Sequence, residues 1–542
     1  MPFLHRQSPT ISALTRMRRR TATVLGLACL VYGSIVPATA QDTQTPATDD
    51  FIQKWADDAQ ATMARRTKIK PNKRRAKNVI LFIADGMDPT TITAARIYDG
   101  QSKGEDGEEN FLSFETLPHL AMVKTYTTNA QTPDSAGTAT AMVTGVKTKS
   151  GVLSMTDAVV TDDCAASKGS EIVTIAELAE QAGLATGIIS TARLTHATPA
   201  TMYAHAANRN WEADSLISDE NADAGCIDIA RQLIEFGHGD GIDVAMGGGR
   251  RNFLPNDMTD PEETDRMGRR KDGRNLAKEW ADQSTDHAYV WDRAGFDALD
   301  RRADLKLLGL FEPSHMQYEL DRVQPGDTAG NEPSLAEMTD AALDVLSQHK
   351  KGYVLMVEGG RVDHAHHAGN AARALKDTQA FADAVALAIE KTNPRDTLII
   401  VTADHGHTVT LQGYPVKGNN ILGLVRSPYD QFNDDNGLSL ALDGKPYPTL
   451  AYSNGPGAHV HEEGDHGFHP RPLLTDEQTT DPDYKQPAAI PLRSETHGGQ
   501  DVTIYARGPQ AWLFSGVVEQ SYIFHVMEKA LDLKRRAAKA NR

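Results

Sequence analysis

Five short runs of almost uninterrupted apolar residues constrain what this chain can fold into. They are residues 78–86 (NVILFIADG), 185–193 (ATGIISTAR), 241–250 (GIDVAMGGGR), 352–360 (GYVLMVEGG) and 396–406 (DTLIIVTADHG). Runs of this length, apolar at successive positions, predict strands covered on both faces, as in a buried parallel sheet. Helical patterns lie between them. In residues 170–183, Ile172, Ile175, Ala176 and Ala179 share a face, with Ser170 as cap and Gly183 as stop. The alternation predicts an α/β fold, a central mostly parallel sheet with helices on both faces.

The ends of these runs carry acids and histidines. Asp85 closes the first, Glu358 the fourth, and Asp404 with His405 the fifth. Ligands of open α/β sheets gather at the carboxyl ends of strands. After Glu358 comes GGRVDHAHHAG; a helix starting near Asp363 would put Asp363 and His367 on one face. His497, in THGGQDV, sits in a glycine-flanked turn. So many acids at one edge would repel one another, and divalent cations resolve that conflict. Mixed His/Asp donors suit zinc, and all-oxygen donors suit magnesium.

TPDSAGTATAM, residues 132–142, adds a helix N-terminus. There Ser135 is read both as the cap and as a nucleophile, because helix N-termini favour phosphate dianions.

The 542 residues carry a net charge of −17, which disfavours nucleic acid and anionic lipid as partners. An anionic substrate would need local cations. Residues 1–40 read as an export signal: a basic TRMRRR, a short apolar core and a cleavage site after Ala40. The mature protein is then expected to be periplasmic or secreted. Its two remaining cysteines, Cys164 and Cys226, read as one disulfide. The polar, basic C-terminus offers no hydrophobic tail for a lipid anchor.

Residues 41–77 are expected to form an amphipathic helix (50–66) and a basic linker, followed by one large domain over 78–542. Two stretches break the rhythm. Residues 255–300 read as charged and helical. Residues 408–494, rich in Gly, Pro, Asn and Asp, read as a surface insertion without obvious core strands. Its HVHEEGDHGFH tract reads as a solvated loop.

KNVILFIADGM, TPDSAGTATAMVTGVKT, THATPATMYAHAANRNWE, VEGGRVDHAHH, TADHGH and ETHGGQDVTIYARGP together resemble, in order, the signatures of the alkaline phosphatase family. LLGLFEPSHMQYELDR and the insertion resemble its animal-type branch. The resemblance implies a phosphomonoesterase with two zinc ions and one magnesium ion. Asp363, His367 and His497 would hold the first zinc, and Asp404, His405 and Asp85 the second. Asp85, Glu358 and Thr198 would form the magnesium site. Ser135 would be the nucleophile, and Arg209, oriented by Asp134, the phosphate clamp. His196 beside the magnesium and His364 near the phosphate follow the animal-type pattern.

That branch also carries calcium. Phe311 and Glu312 match its site, Glu332 stands near a third ligand, and no acid near Asp223 clearly matches the fourth. The resemblance further implies a homodimer. The alternatives are a related phosphodiesterase or sulfatase-like hydrolase, or an inactive metal- or phosphate-binding relative.

Overall fold

The computed structural model describes residues 48–324, 330–458 and 471–540. The expected export signal and the histidine-rich tract at 459–469 lie outside them. Two compact units divide at Lys68. In the first, the helix Thr48–Arg66 keeps Phe51, Ile52, Trp55 and Met63 exposed.

The second unit is built on a ten-stranded sheet. In chain order its strands are β1 (Asn78–Ala84), β2 (His119–Lys124), β3 (Ala185–Arg193), β4 (Val244–Gly248), β5 (His287–Val290), β6 (Lys306–Leu310), β7 (Tyr353–Gly359), β8 (Thr397–Thr402), β14 (Val502–Arg507) and β15 (Val517–Glu519). Their spatial order is β15-β2-β14-β8-β1-β7-β3-β4-β6-β5. The seven strands from β8 to β5 are mutually parallel, while β14 runs antiparallel to both neighbours.

All five apolar runs are strands of this sheet, and β1, β4, β7 and β8 are buried throughout. In a parallel sheet helices cover both faces, so every position must be apolar. The helix Ala371–Lys391 brings Phe381 edge-on to Phe82 of β1, with ring centroids 5.8 Å apart. Register sets the function: Ile83 pairs with Glu358 on one side and Thr402 on the other, and Ser190 of β3 also pairs with Glu358. Asp85, Glu358 and Asp404 therefore emerge at one edge.

Three expectations need correction. The helix Ile175–Gln181 is capped by Thr174, not Ser170. Thr174 and Glu177 form a reciprocal capping box, which satisfies two backbone donors where Ser170 would lie a turn too early. Residues 255–300 are not simply helical: they hold β5, whose edge position tolerates its half-buried, polar sequence. The insertion does contain strands. Just before it β9 (Gly406–His407) leads into β10 (Val409–Leu411), which forms a small sheet with β11 (Leu450–Gly455) and β12 (Ala488–Pro491). The chain then returns as β13 (His497–Gly498), antiparallel to β9.

Candidate active site and metal centre

Ser135 opens the helix Ser135–Thr144, but Asp134 is its cap, and the capping role expected of Ser135 is corrected accordingly. Asp134 Oδ1 accepts from Gly137 N at 3.1 Å, while Oδ2 accepts from Gly151 N at 2.9 Å and Arg209 Nη1 at 3.0 Å. As the first helical residue, Ser135 turns its hydroxyl toward the acidic sheet edge. Its Oγ is 3.1 Å from His405 Nε2 and 3.5 Å from Asp85 Oδ1.

Two donor clusters flank this hydroxyl. In one, His405 Nε2 lies 3.2 Å from Asp85 Oδ1 and 3.3 Å from Asp404 Oδ2, all three residues fully buried. In the other, Nε2 of His367 and of His497 each lie 3.4 Å from Asp363 Oδ1. The helix Arg361–His367 supplies Asp363 and His367 one turn apart, starting two residues before Asp363. Both histidines also contact backbone carbonyls: His367 Nδ1 meets Glu495 O at 2.5 Å, and His497 Nδ1 meets Pro133 O at 2.8 Å. A carbonyl only accepts, so each Nδ1 carries a proton, and in the neutral ring each Nε2 is left to bind a cation. The two Nε2 atoms face each other at 3.1 Å.

A third group sits deeper. Donor atoms of Asp85, His196 and Glu358 come within 4.8 Å of one another, with Thr198 Oγ1 3.5 Å from Asp85 Oδ2. Ser190 Oγ, at the end of β3, hydrogen-bonds Glu358 Oε2, while Glu358 Oε1 is buried without a partner.

The electrostatics match this crowding. Burial first, then Asp404, Asp363 and Glu358, push the Asp85 carboxyl well above its usual range. Burial likewise lifts Glu358 to about 7, with Asp404 adding to it. Burial pulls His405 and His196 down. Burial also opposes ionisation of Asp363, but His367, His407 and His497 outweigh it and hold that carboxyl low. By donor set as well as by charge, these groups could hold cations.

The site opens into a cavity of about 320 Å³ lined by Ser135, Arg209, His196, His364, Asp363, His367, His497, Arg193, Asn210 and Glu212. Arg209 Nη2 lies 3.2 Å from His196 Nε2.

A sequence profile of the alkaline phosphatases matches residues 76–533. The chain belongs to the alkaline phosphatase family. It is 42% identical over 512 residues to the tissue-nonspecific alkaline phosphatase of Gallus gallus, a match spanning 93% of this chain and 92% of that one. It is also 42% identical over 489 residues to a membrane-bound alkaline phosphatase of Bombyx mori, covering 87% and 84%. The fold is shared with the alkaline phosphatase of Thermus thermophilus, with a TM-score of 0.58, 24% identity and coverage of 87% and 96%. Like these relatives, the chain is an alkaline phosphatase, a metal-dependent hydrolase. No helix among the described residues is long and apolar enough to cross a membrane.

Sequence reasoning missed two residues of this alkaline phosphatase site. His407, on β9, places Nε2 2.8 Å from Asp363 Oδ1 and Nδ1 2.6 Å from Glu495 Oε2. Glu495 also accepts from Thr408 N and Oγ1, each at 2.6 Å. TADHGH hinted at His407, since His405 and His407 alternate on an extended segment; nothing in the sequence pointed to Glu495.

Elsewhere, Cys164 and Cys226 are disulfide-bonded. Glu312 and Glu332 come together through Gln317, whose Nε2 donates to Glu312 at 3.0 Å and whose backbone N donates to Glu332 at 3.0 Å. Burial and then the Glu312 charge raise Glu332, and burial lifts Glu312 to about 7, with Glu262 adding to it. The acid beside this pair is Glu262, not one near Asp223.

Proposed function

We propose that this site hydrolyses phosphate monoesters by passing the phosphoryl group first to Ser135 and then to water, with cations held by the residues above. One observation carries the reading: the Nε2 atoms of His367 and His497 meet at 3.1 Å beside Asp363. Two lone pairs and a carboxylate aimed at one point call for a cation.

Asp363, His367 and His497 would hold one zinc, and Asp85, Asp404 and His405 a second. Asp85, Glu358 and Thr198, with His196 beside them, would hold magnesium; the partnerless Glu358 Oε1 suits a hard cation. Bound there, the ions would neutralise the buried carboxylates, acidify a nearby hydroxyl and stabilise charge on the departing oxygen.

Ser135 Oγ gives up its proton and bonds to phosphorus in line, and the ester P–O bond breaks to release the alcohol. Water then attacks from the opposite side and breaks the serine–phosphorus bond, so configuration at phosphorus is retained. Arg209, held by Asp134, offers N–H groups to the non-bridging oxygens, and the helix N-terminus adds backbone N–H groups. His364, on the cavity wall, contacts the substrate. These cations answer the problem that net charge −17 sets for an anionic substrate.

We also infer calcium at Phe311, Glu312 and Glu332, export with cleavage after Ala40, and a homodimer. The insertion at 408–494 acts as a surface subdomain.

The test is phosphate release from p-nitrophenyl phosphate at alkaline pH. Turnover should vanish with EDTA, return with zinc and magnesium, and fall at least ~10³-fold in Ser135→Ala. Full activity in Ser135→Ala would refute the phosphoserine step.

A further inference from the structure

We propose that Asp162 is a positioning residue for the phosphate clamp: it fixes the turn that carries Arg209 and so sets how tightly phosphate is held. The proposal rests on the reading of Arg209 given above.

Arg209 is gripped at two ends. Asp134 Oδ2 accepts from its Nη1 at 3.0 Å, and Gly151 O accepts from its backbone N at 2.8 Å. Around these anchors the chain makes a tight turn. Trp211 N donates to Asn208 O at 3.2 Å, and Asn210 N donates to Asn208 Oδ1 at 2.8 Å. Asn208 is itself held, because its Nδ2 donates to Asp162 Oδ1 at 3.0 Å. The same oxygen accepts from Trp211 Nε1 at 3.2 Å, the only hydrogen bond of that indole among the described residues. One carboxylate oxygen thus joins the two residues that flank Arg209 and Asn210. Trp211 is buried, so its N–H cannot exchange this acceptor for bulk water without moving the turn. Arg209 and Asn210 both line the cavity with Ser135.

Asp162 reaches these donors from a backbone that favours glycine. Its φ is +65°, where an aspartate is strained. The main chain is pinned there without help from the side chain: Asp162 N donates to Ala207 O at 3.2 Å, and Asp162 O accepts from Asn221 Nδ2 at 3.0 Å. Asn221 Oδ1 in turn accepts from Cys164 N at 2.8 Å, next to the Cys164–Cys226 disulfide. The anchor behind the carboxylate is therefore rigid. Glycine would meet this φ at no cost, so the bonds to Asn208 and Trp211 are what offset the strain.

The test reads phosphate binding directly. Inorganic phosphate is titrated calorimetrically into the zinc- and magnesium-loaded full chain, and into Asp162→Gly, Asp162→Asn, Arg209→Ala and the Arg209→Ala/Asp162→Gly double variant. Glycine relieves the backbone while removing the acceptor, and asparagine keeps an oxygen in place. Asp162→Gly should weaken phosphate about fivefold or more, and Asp162→Asn should stay within about twofold of the parent. Once Arg209 is gone, Asp162→Gly should cost nothing further, which a general loss of stability would not reproduce. In turnover of p-nitrophenyl phosphate, KM should rise more in Asp162→Gly than kcat falls. Unchanged phosphate binding in Asp162→Gly, an equal loss in Asp162→Asn, or a loss that persists without Arg209 overturns the positioning role. Arg209→Ala binding phosphate as tightly as the parent would overturn the clamp, and the proposal with it, so the single variant tells the two failures apart.

Discussion

His407 is the residue whose loss should be felt furthest from its own atoms. It is fully buried between Asp363 and Glu495, so burial disfavours its charge, but those two partners outweigh burial and hold it protonated up to about 10. His407→Ala leaves two buried carboxylates facing each other. Zinc affinity should drop 10- to 100-fold, measured by competition with a chelator, with the fold intact by circular dichroism. Gly86 tests the same contact from the other side. Its φ is +76°, and a Cβ there would collide with the His407 ring. Gly86→Ala should therefore cost about 1–3 kcal/mol in denaturant melts and weaken zinc retention in parallel. The donors at Asp85, Glu358, Asp404 and His405 were legible because strand ends advertise them. Glu495 was not, since its partner His407 lies 88 positions away and only the fold joins them.

Among the elements, the helix Ser135–Thr144 shows how one side chain serves stability and geometry together. Asp134→Ala removes an N-cap, costing about 1 kcal/mol, and frees Arg209. KM for a monoester should rise more than kcat falls. The helix Ile175–Gln181 carries a different kind of acid in its last turn. Glu180 is lifted to about 9, chiefly by burial; Thr186 Oγ1 donates to it at 2.6 Å and opposes the shift, while Asp243 adds to it. The folded state keeps this proton while the unfolded chain releases it near the usual carboxyl value. Its stabilising contribution is complete below about 4.5 and declines as pH rises, until the folded group ionises near 9. Glu180→Gln should match the parent in Tm at low pH and exceed it at pH 8. The caps of these helices were misread by one residue at Ser135 and by a turn at Ser170, because Ser, Thr and Asp compete locally and only backbone geometry decides among them.

For the whole molecule, five strands of the seven-strand parallel core, β1, β3, β4, β7 and β8, were readable because they are apolar on both faces. The strands that were missed sit at the margins. β2 and β5 are half-buried, β6 lies next to the edge, β15 has three residues, and β14 runs antiparallel between β2 and β8. The small sheet of the insertion escaped because three short strands gather there from distant parts of a glycine- and proline-rich stretch. The disulfide Cys164–Cys226 closes a sequence separation of 62. Replacing both cysteines by serine should cost about 4 kcal/mol, seen as a lower denaturation midpoint in the variant relative to the oxidised protein.

β13 pairs with β9 across the whole insertion, and so brings His497 to donors that begin at Asp85. During synthesis the first carboxylate therefore waits until nearly the entire polypeptide has emerged before the last imidazole can join it. At about 5–20 residues per second, that interval lasts tens of seconds. Throughout it a ribosome-bound chain would hold only partial, weakly chelating sets of ligands, and maturation of the enzyme becomes an event of the finished molecule.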